Sequence, residues 1–293
     1  MNTKPTHVTV LNRLLQAQLL GALAVLPAVA QIPNAPMSAG ITTQISRHQH
    51  APLRIHERRY DGTVTSENWS GYAVTGSNIT DVKGSWIVPA VTCPTTPASP
   101  RSRNQPQQDQ YAAFWVGIDG YSSSTVEQVG TDSDCDGSTP SYYAWFEFYP
   151  HPSYSVNNFP VKPGDRISAE VSYSTSNKGA SSFTVTLTDE ATGHSFSTST
   201  SVPSAARSSA EWIAEAPSSG SGVLPLADFG YVDFGDDYTG VTATCYATVG
   251  TGKASPISSL NFNEITMVSA GNVPEAVPGS LSSDGTSFSI TWQ

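Results

Sequence analysis

Arg166-Ile-Ser-Ala-Glu-Val-Ser-Tyr173 alternates without a break, so Ile167, Ala169, Val171 and Tyr173 share one face and polar residues take the other. Side chains of an extended strand point to opposite sides with a period of two, and the stretch therefore predicts a strand with one buried face. Ser182-Phe-Thr-Val-Thr-Leu-Thr188 repeats the pattern, with Phe183, Val185 and Leu187 together. Lys162-Pro-Gly-Asp165, Ala191-Thr-Gly193 and Ser283-Asp-Gly285 mark turns. No window offers a sustained helical period with caps. Short strands at spacings of roughly 8–12 residues predict an all-β sandwich or barrel. Residues 61–293 are long for one such domain, yet within its range. Two sheets packed about 10 Å apart would bury its core, and Thr286–Trp292 reads as a last strand.

The first 60 residues differ from this body. Lys4 and Arg13 precede an uncharged, largely apolar run that ends in Ala28-Val-Ala30. That is the pattern of a cleaved export signal, here residues 1–30, and predicts a secreted protein. Residues 31–60 carry Arg47, Arg54, Arg58 and Arg59 against Glu57 alone, with His48, His50 and His56 besides, a net of +3. The body holds 8 Lys or Arg against 23 Asp or Glu, a net of −15. The leader reads either as a disordered, solvated segment or as a basic propeptide drawn to the acidic body. Carboxylates lose charge as pH falls while His gains it, so that attraction weakens in acid. An acidic body also opposes nucleic-acid or anionic-membrane partners, which require basic surfaces.

Three cysteines, Cys93, Cys135 and Cys245, would meet an oxidising environment after export. Cys93 and Cys135 flank the strands around Trp115 and Gln128, and their pairing would close a loop about that region. Cys245 is left over, as a buried small hydrophobe or an unexplained thiol. Asn68-Trp-Ser70 and Asn78-Ile-Thr80 fit the glycosylation pattern, a weak signal.

Alternation sorts the remaining chemistry. From Tyr111 to Asp119, Ala112, Phe114, Val116 and Ile118 face a core, whereas Ala113, Trp115, Gly117 and Asp119 face away. Gln128 shares its face with Val126 and Gly130. Tyr143, Trp145, Glu147 and Tyr149 share another, and Glu211, Ile213 and Glu215 a third. A surface mixing aromatics with acids and amides suits a cleft that grips an extended polymer. Ordinary packing explains any single Trp as well, and a solvated edge strand would explain Glu211 and Glu215.

Asn68-Trp-Ser-Gly71, Trp115-Val-Gly-Ile-Asp-Gly120, Glu127-Gln-Val-Gly130, Ala144-Trp-Phe-Glu-Phe-Tyr-Pro150 and Ala210-Glu-Trp-Ile-Ala-Glu215 together resemble the glutamic peptidases, the eqolisins, in that order. The resemblance runs from about residue 66 to about 270. It implies a bent, concanavalin A-like (lectin-like) β-sandwich of two antiparallel sheets. It also implies an acid-acting endopeptidase with Gln128 and Glu215 as the catalytic dyad, and Trp69, Trp115, Asp119, Glu147 and Tyr149 lining the cleft. Two departures stand out: a long insertion between Cys93 and Gln110, and poor matching after Ser269.

At low pH a His would already be protonated, so a carboxylate is the suitable base for water. An amide offers a donor to the oxyanion whatever the pH. Polypeptide substrates, a monomer and no cofactor are expected. Metal binding is not: His151 and His194 are scattered, and His48-Gln-His50 has ligand-like spacing but sits in the leader. The rival reading is a glycan-binding or glycan-hydrolysing sandwich, since the fold hosts both. Glu211-Trp-Ile-Ala-Glu215 superficially supplies a Glu pair, but Ile213 stands where the glucanase pattern has a central Asp.

Overall fold

The computed structural model describes Met1 and residues 42–58, 63–95 and 108–293. The expected export signal and most of the insertion after Cys93 lie outside the described residues. The strands are β1 (Thr42–Ile45), β2 (Ile55–Arg58), β3 (Thr63–Ser66), β4 (Trp69–Thr75), β5 (Ile79–Ile87), β6 (Ala113–Ile118) and β7 (Val126–Asp136). They continue as β8 (Thr139–Tyr149), β9 (Tyr154–Asn157), β10 (Arg166–Thr175), β11 (Ser181–Asp189), β12 (Ser195–Thr200) and β13 (Ser209–Glu215). The last are β14 (Ser218–Ser219), β15 (Gly222–Val223), β16 (Tyr231–Phe234), β17 (Tyr246–Val249), β18 (Ser255–Pro256), β19 (Phe262–Val268), β20 (Pro274–Pro278) and β21 (Phe288–Trp292). A four-residue helix, α1 (Asp236–Thr239), is the one α-helix among the described residues.

One sheet runs β1, β9, β8, β7, β6, β13, β4, β19. The other runs β12, β11, β10, β5, with β16 and β17 beyond β5. β20 and β21 pair in turn with β19 and β16 and join the two sheets along one side. Residues 270–293 are thus part of the sandwich. The pairing of β3 with β19 is parallel; the other ladders named here are antiparallel.

The faces assigned from alternation are the faces observed. Phe114, Val116, Ile118, Val129, Phe146 and Trp212 pack against Ile167, Val171, Phe183, Val185 and Leu187 in the core between the sheets. Each such side chain contributes about 1.5–3 kcal/mol on burial. Trp69, Ala113, Trp115, Val126, Trp145 and Ile213 form a second cluster on the opposite face of the first sheet. The strand carrying Glu211 and Glu215 is no solvated edge: β13 lies between β4 and β6, and both carboxyls are buried.

The solvated-leader reading fails for residues 42–58, which are ordered against the body. β1 extends the first sheet at β9, and β2 pairs with β3. Between them Gln49 and Ser218 exchange backbone hydrogen bonds of 2.9 and 2.8 Å.

Cys93 and Cys135 are bridged, and Cys245 is free and buried, its thiol pKa pushed up by burial. The bridge spans 42 residues, and closing a loop of that length removes roughly 4 kcal/mol of denatured-chain entropy. Urea unfolding of the Cys93→Ser/Cys135→Ser double variant should show a loss of about 3–4 kcal/mol. An unchanged midpoint would mean that the segment before Gln110 is held by other contacts.

Candidate active site

Strand register assembles the site. Across β8, β7, β6, β13 and β4, one row reads Tyr143, Asp132, Ala113, Glu215, Trp69. The next reads Trp145, Gly130, Trp115, Ile213, Gly71, and the next Glu147, Gln128, Gly117, Glu211, Ala73. Small residues sit at the centre of this floor for a steric reason. A Cβ on Gly130 would lie 2.4 Å from the Phe114 carbonyl oxygen and 2.6 Å from the Trp115 Cβ. One on Gly117 would lie 2.9 Å from the Trp115 ring and 3.2 Å from the Gln128 Cβ. The two glycines give Trp115 and Gln128 their space.

The leader crosses this floor, and Gln128 and Glu215 meet on its residue His50. The Gln128 Nε2 donates to the His50 carbonyl at 2.6 Å, and the His50 Nδ1 stands 3.5 Å from the Glu215 Oε2. The His50 backbone N–H donates to the Glu147 Oε2 at 2.7 Å. Its imidazole stacks on Trp145, with ring centroids 3.4 Å apart and planes 7° from parallel. On either side, the His48 Nε2 lies 2.6 Å from the Asp132 Oδ2, and the Trp69 Nε1 donates to the Ala51 carbonyl at 3.1 Å. The Trp115 Nε1 donates to the Glu215 Oε2 at 2.9 Å, which orients that carboxyl. Gln128 Oε1 and Glu215 Oε1 are buried without a hydrogen-bond partner.

Burial dominates the electrostatics. It lifts the Glu215 pKa well above its ordinary value, and the neighbouring Glu147 charge lifts it further against the pull of Trp115. Glu147 is raised by the same enclosure, although the His50 N–H partly offsets it. His50 is lowered by burial and then by the His48 charge. His48 is also buried, but the Asp132 carboxylate overrules that penalty and raises it. Burial therefore favours the uncharged forms of both Glu215 and His50.

Trp69, Trp115 and Glu147 lie at this centre. Tyr149 packs partly buried at the rim of the aromatic cluster. Asp119 has a different task. Its carboxylate accepts from the Arg207 and Ser208 backbone N–H groups at 2.6 and 2.8 Å and from the Ser208 hydroxyl at 2.9 Å. It thereby fixes the turn that leads into β13, the strand of Glu215.

His48, His50 and Asp132 were missed as site residues. The histidines lie in a segment whose composition reads as leader, and Asp132 lies outside every motif quoted. Alternation offered the one available signal, because Asp132 shares the parity of Gln128 and Gly130. His48, His50 and Asp132 also place potential ligand atoms within 4.8 Å of one another.

The Peptidase A4 family profile matches residues 67–274. The chain belongs to the Peptidase A4 family. Aspergillopepsin-2 of Aspergillus niger is 31% identical over 187 residues, 60% of this chain and 66% of that protein. Scytalidopepsin B of Scytalidium lignicola is 30% identical over 156 residues, 53% of each chain. The alignments thus span just under two thirds and about half of these relatives. Among solved structures, scytalido-glutamic peptidase with a peptide-based transition-state analog superposes with a TM-score of 0.60. It is 26% identical, covering 78% of this chain and 98% of that one. Aspergilloglutamic peptidase from Aspergillus niger gives 0.51 at 28% identity, covering 63% and 99%. Peptidase A4 membership bears out the eqolisin resemblance and its β-sandwich.

Proposed function

We propose that this chain is the precursor of a secreted, acid-acting endopeptidase in which Glu215 and Gln128 activate one water molecule, with residues 31–60 as its inhibitory leader. The observation that carries this reading is the convergence of Gln128 and Glu215, remote in sequence, on one residue, His50, at its carbonyl and its imidazole respectively. A carbonyl held by the Gln128 amide is where an oxyanion would develop, and an amide donor there works at any pH. Glu215, ionised in an open cleft, takes a proton from water as that water attacks the carbonyl. It then returns the proton to the leaving nitrogen. Gln128 Oε1 is available to orient the water. With the leader in place burial favours the protonated form of Glu215, which is no base for water, so the cleft must first open. Peptidase A4 membership weighs against the carbohydrate reading, whose Glu pair lacks the central acid.

Opposing titrations set the pH of opening. His50, enclosed, is well below its ordinary 6.5, so in water it gains a proton that the closed form refuses. Falling pH favours release from 6.5 down through the enclosed value. Glu147 and Glu215 act the other way, because enclosure raises both above 4.5. Their preference for the closed form stops growing once they are protonated in both states, and that of His48 stops growing below 6.5. Of these groups His50 alone drives opening as pH falls; the fading attraction between the acidic body and the basic leader acts in the same direction, and release is expected in acid.

The test incubates the full-length chain with a denatured protein at about pH 7 and about pH 3.5, an aspartic-protease inhibitor being present throughout. Cleavage should appear after a lag in acid and be absent near neutrality. A chain that stays intact and inactive for hours in acid would end this reading. Glycan release without peptide cleavage would revive the carbohydrate one.

A further inference from the structure

We propose that the cleft contains an imidazole-selective subsite for the residue on the acyl side of the cleaved bond, built from Trp145 and Asp132, so that peptides are cut preferentially after histidine. The proposal rests on the dyad reading above, because the carbonyl on Gln128 sets the register: His50 is the acyl-side residue and Ala51 follows the bond. The floor of the subsite is the Trp145 indole, on which the imidazole lies flat at 3.4 Å. Its two edges carry carboxyls. The His50 Nδ1 faces the Glu215 Oε2 at 3.5 Å, and Nε2 faces the Asp132 Oδ1 at 4.0 Å. Both Nε2 and that Oδ1 are buried and have no hydrogen-bond partner, and an approach of about 1 Å would join them.

The discrimination is chemical. The His50 side chain has no exposed surface, and the His48 ring of the same peptide stands edge-on 5.2 Å away. A phenyl ring could stack on Trp145, but it would turn C–H groups toward the Asp132 oxygen and leave that acceptor unpaired. A leucine would lose the stacking as well. The other Asp132 oxygen takes the Nε2 of His48, two residues before His50 in the same peptide, at 2.6 Å. The Tyr143 hydroxyl lies 3.3 Å from that same nitrogen. The leader thus displays in its own sequence the residue that this subsite accepts.

The experiment uses the full-length chain, held in acid until its activity on denatured protein reaches a plateau. It is offered three peptides spanning residues 46–54 that carry His, Phe or Leu at position 50, and products are identified by mass. The His peptide should be cut after position 50 with kcat/KM about tenfold above the Phe peptide and further above the Leu peptide. Asp132→Asn should cut the His-over-Phe ratio severalfold. A ratio taken on one enzyme sample does not depend on how much of the variant is folded. Equal rates for His and Leu would overturn the subsite while leaving the dyad standing. So would cleavage at another bond, or a ratio untouched by Asp132→Asn. Loss of all cleavage, denatured protein included, would overturn both.

Discussion

Glu215→Gln should cleave denatured protein in acid roughly 10³- to 10⁴-fold more slowly than the parent chain. The substitution keeps the side chain's shape and the hydrogen bond from the Trp115 Nε1 at 2.9 Å, so the floor of the site stays assembled. On the proposed mechanism it removes the group that takes a proton from water and hands it to the leaving nitrogen. The measurement is initial rate on a denatured protein, with circular dichroism to establish that the variant is folded. More than about a tenth of parental activity in a folded sample would remove Glu215 from the mechanism.

Gln128→Glu is the second large effect, a loss of roughly 10²- to 10³-fold in turnover. Gln128 contributes an N–H donor 2.6 Å from a peptide carbonyl. A carboxylate there would repel the developing oxyanion, and a carboxyl could donate only when protonated. The variant should therefore recover partly as pH falls, which a merely structural defect would not do. Gln128→Ala lacks the donor at every pH and should show no such recovery. Full activity of Gln128→Glu near pH 5 would mean that the oxyanion is held elsewhere.

Much of the fold could be read directly. Alternation in Arg166–Tyr173 and Ser182–Thr188 fixed both the strands and their buried faces, because a two-residue period survives in one dimension. The same rule put Trp115, Gln128, Glu147 and Glu215 on the face away from the core. Partnership was not legible. β13 looked like a possible edge because strand order depends on ladders formed between residues about 100 positions apart, such as Trp115 and Ile213.

The leader gave the clearest divide. Its charge and its likeness to a propeptide lay in the composition, but the disordered alternative was equally open. Sequence alone thus settled the all-β class, the polar and aromatic faces and the family of this chain, since local periodicity and motif order suffice for those. Tertiary structure decided that Gln128 and Glu215 converge on His50, that Asp119 anchors a turn, and that the His50 ring stacks on Trp145. Those outcomes depend on register across five strands and on a segment folding back over them. Such long-range geometry leaves no local pattern in the order of residues.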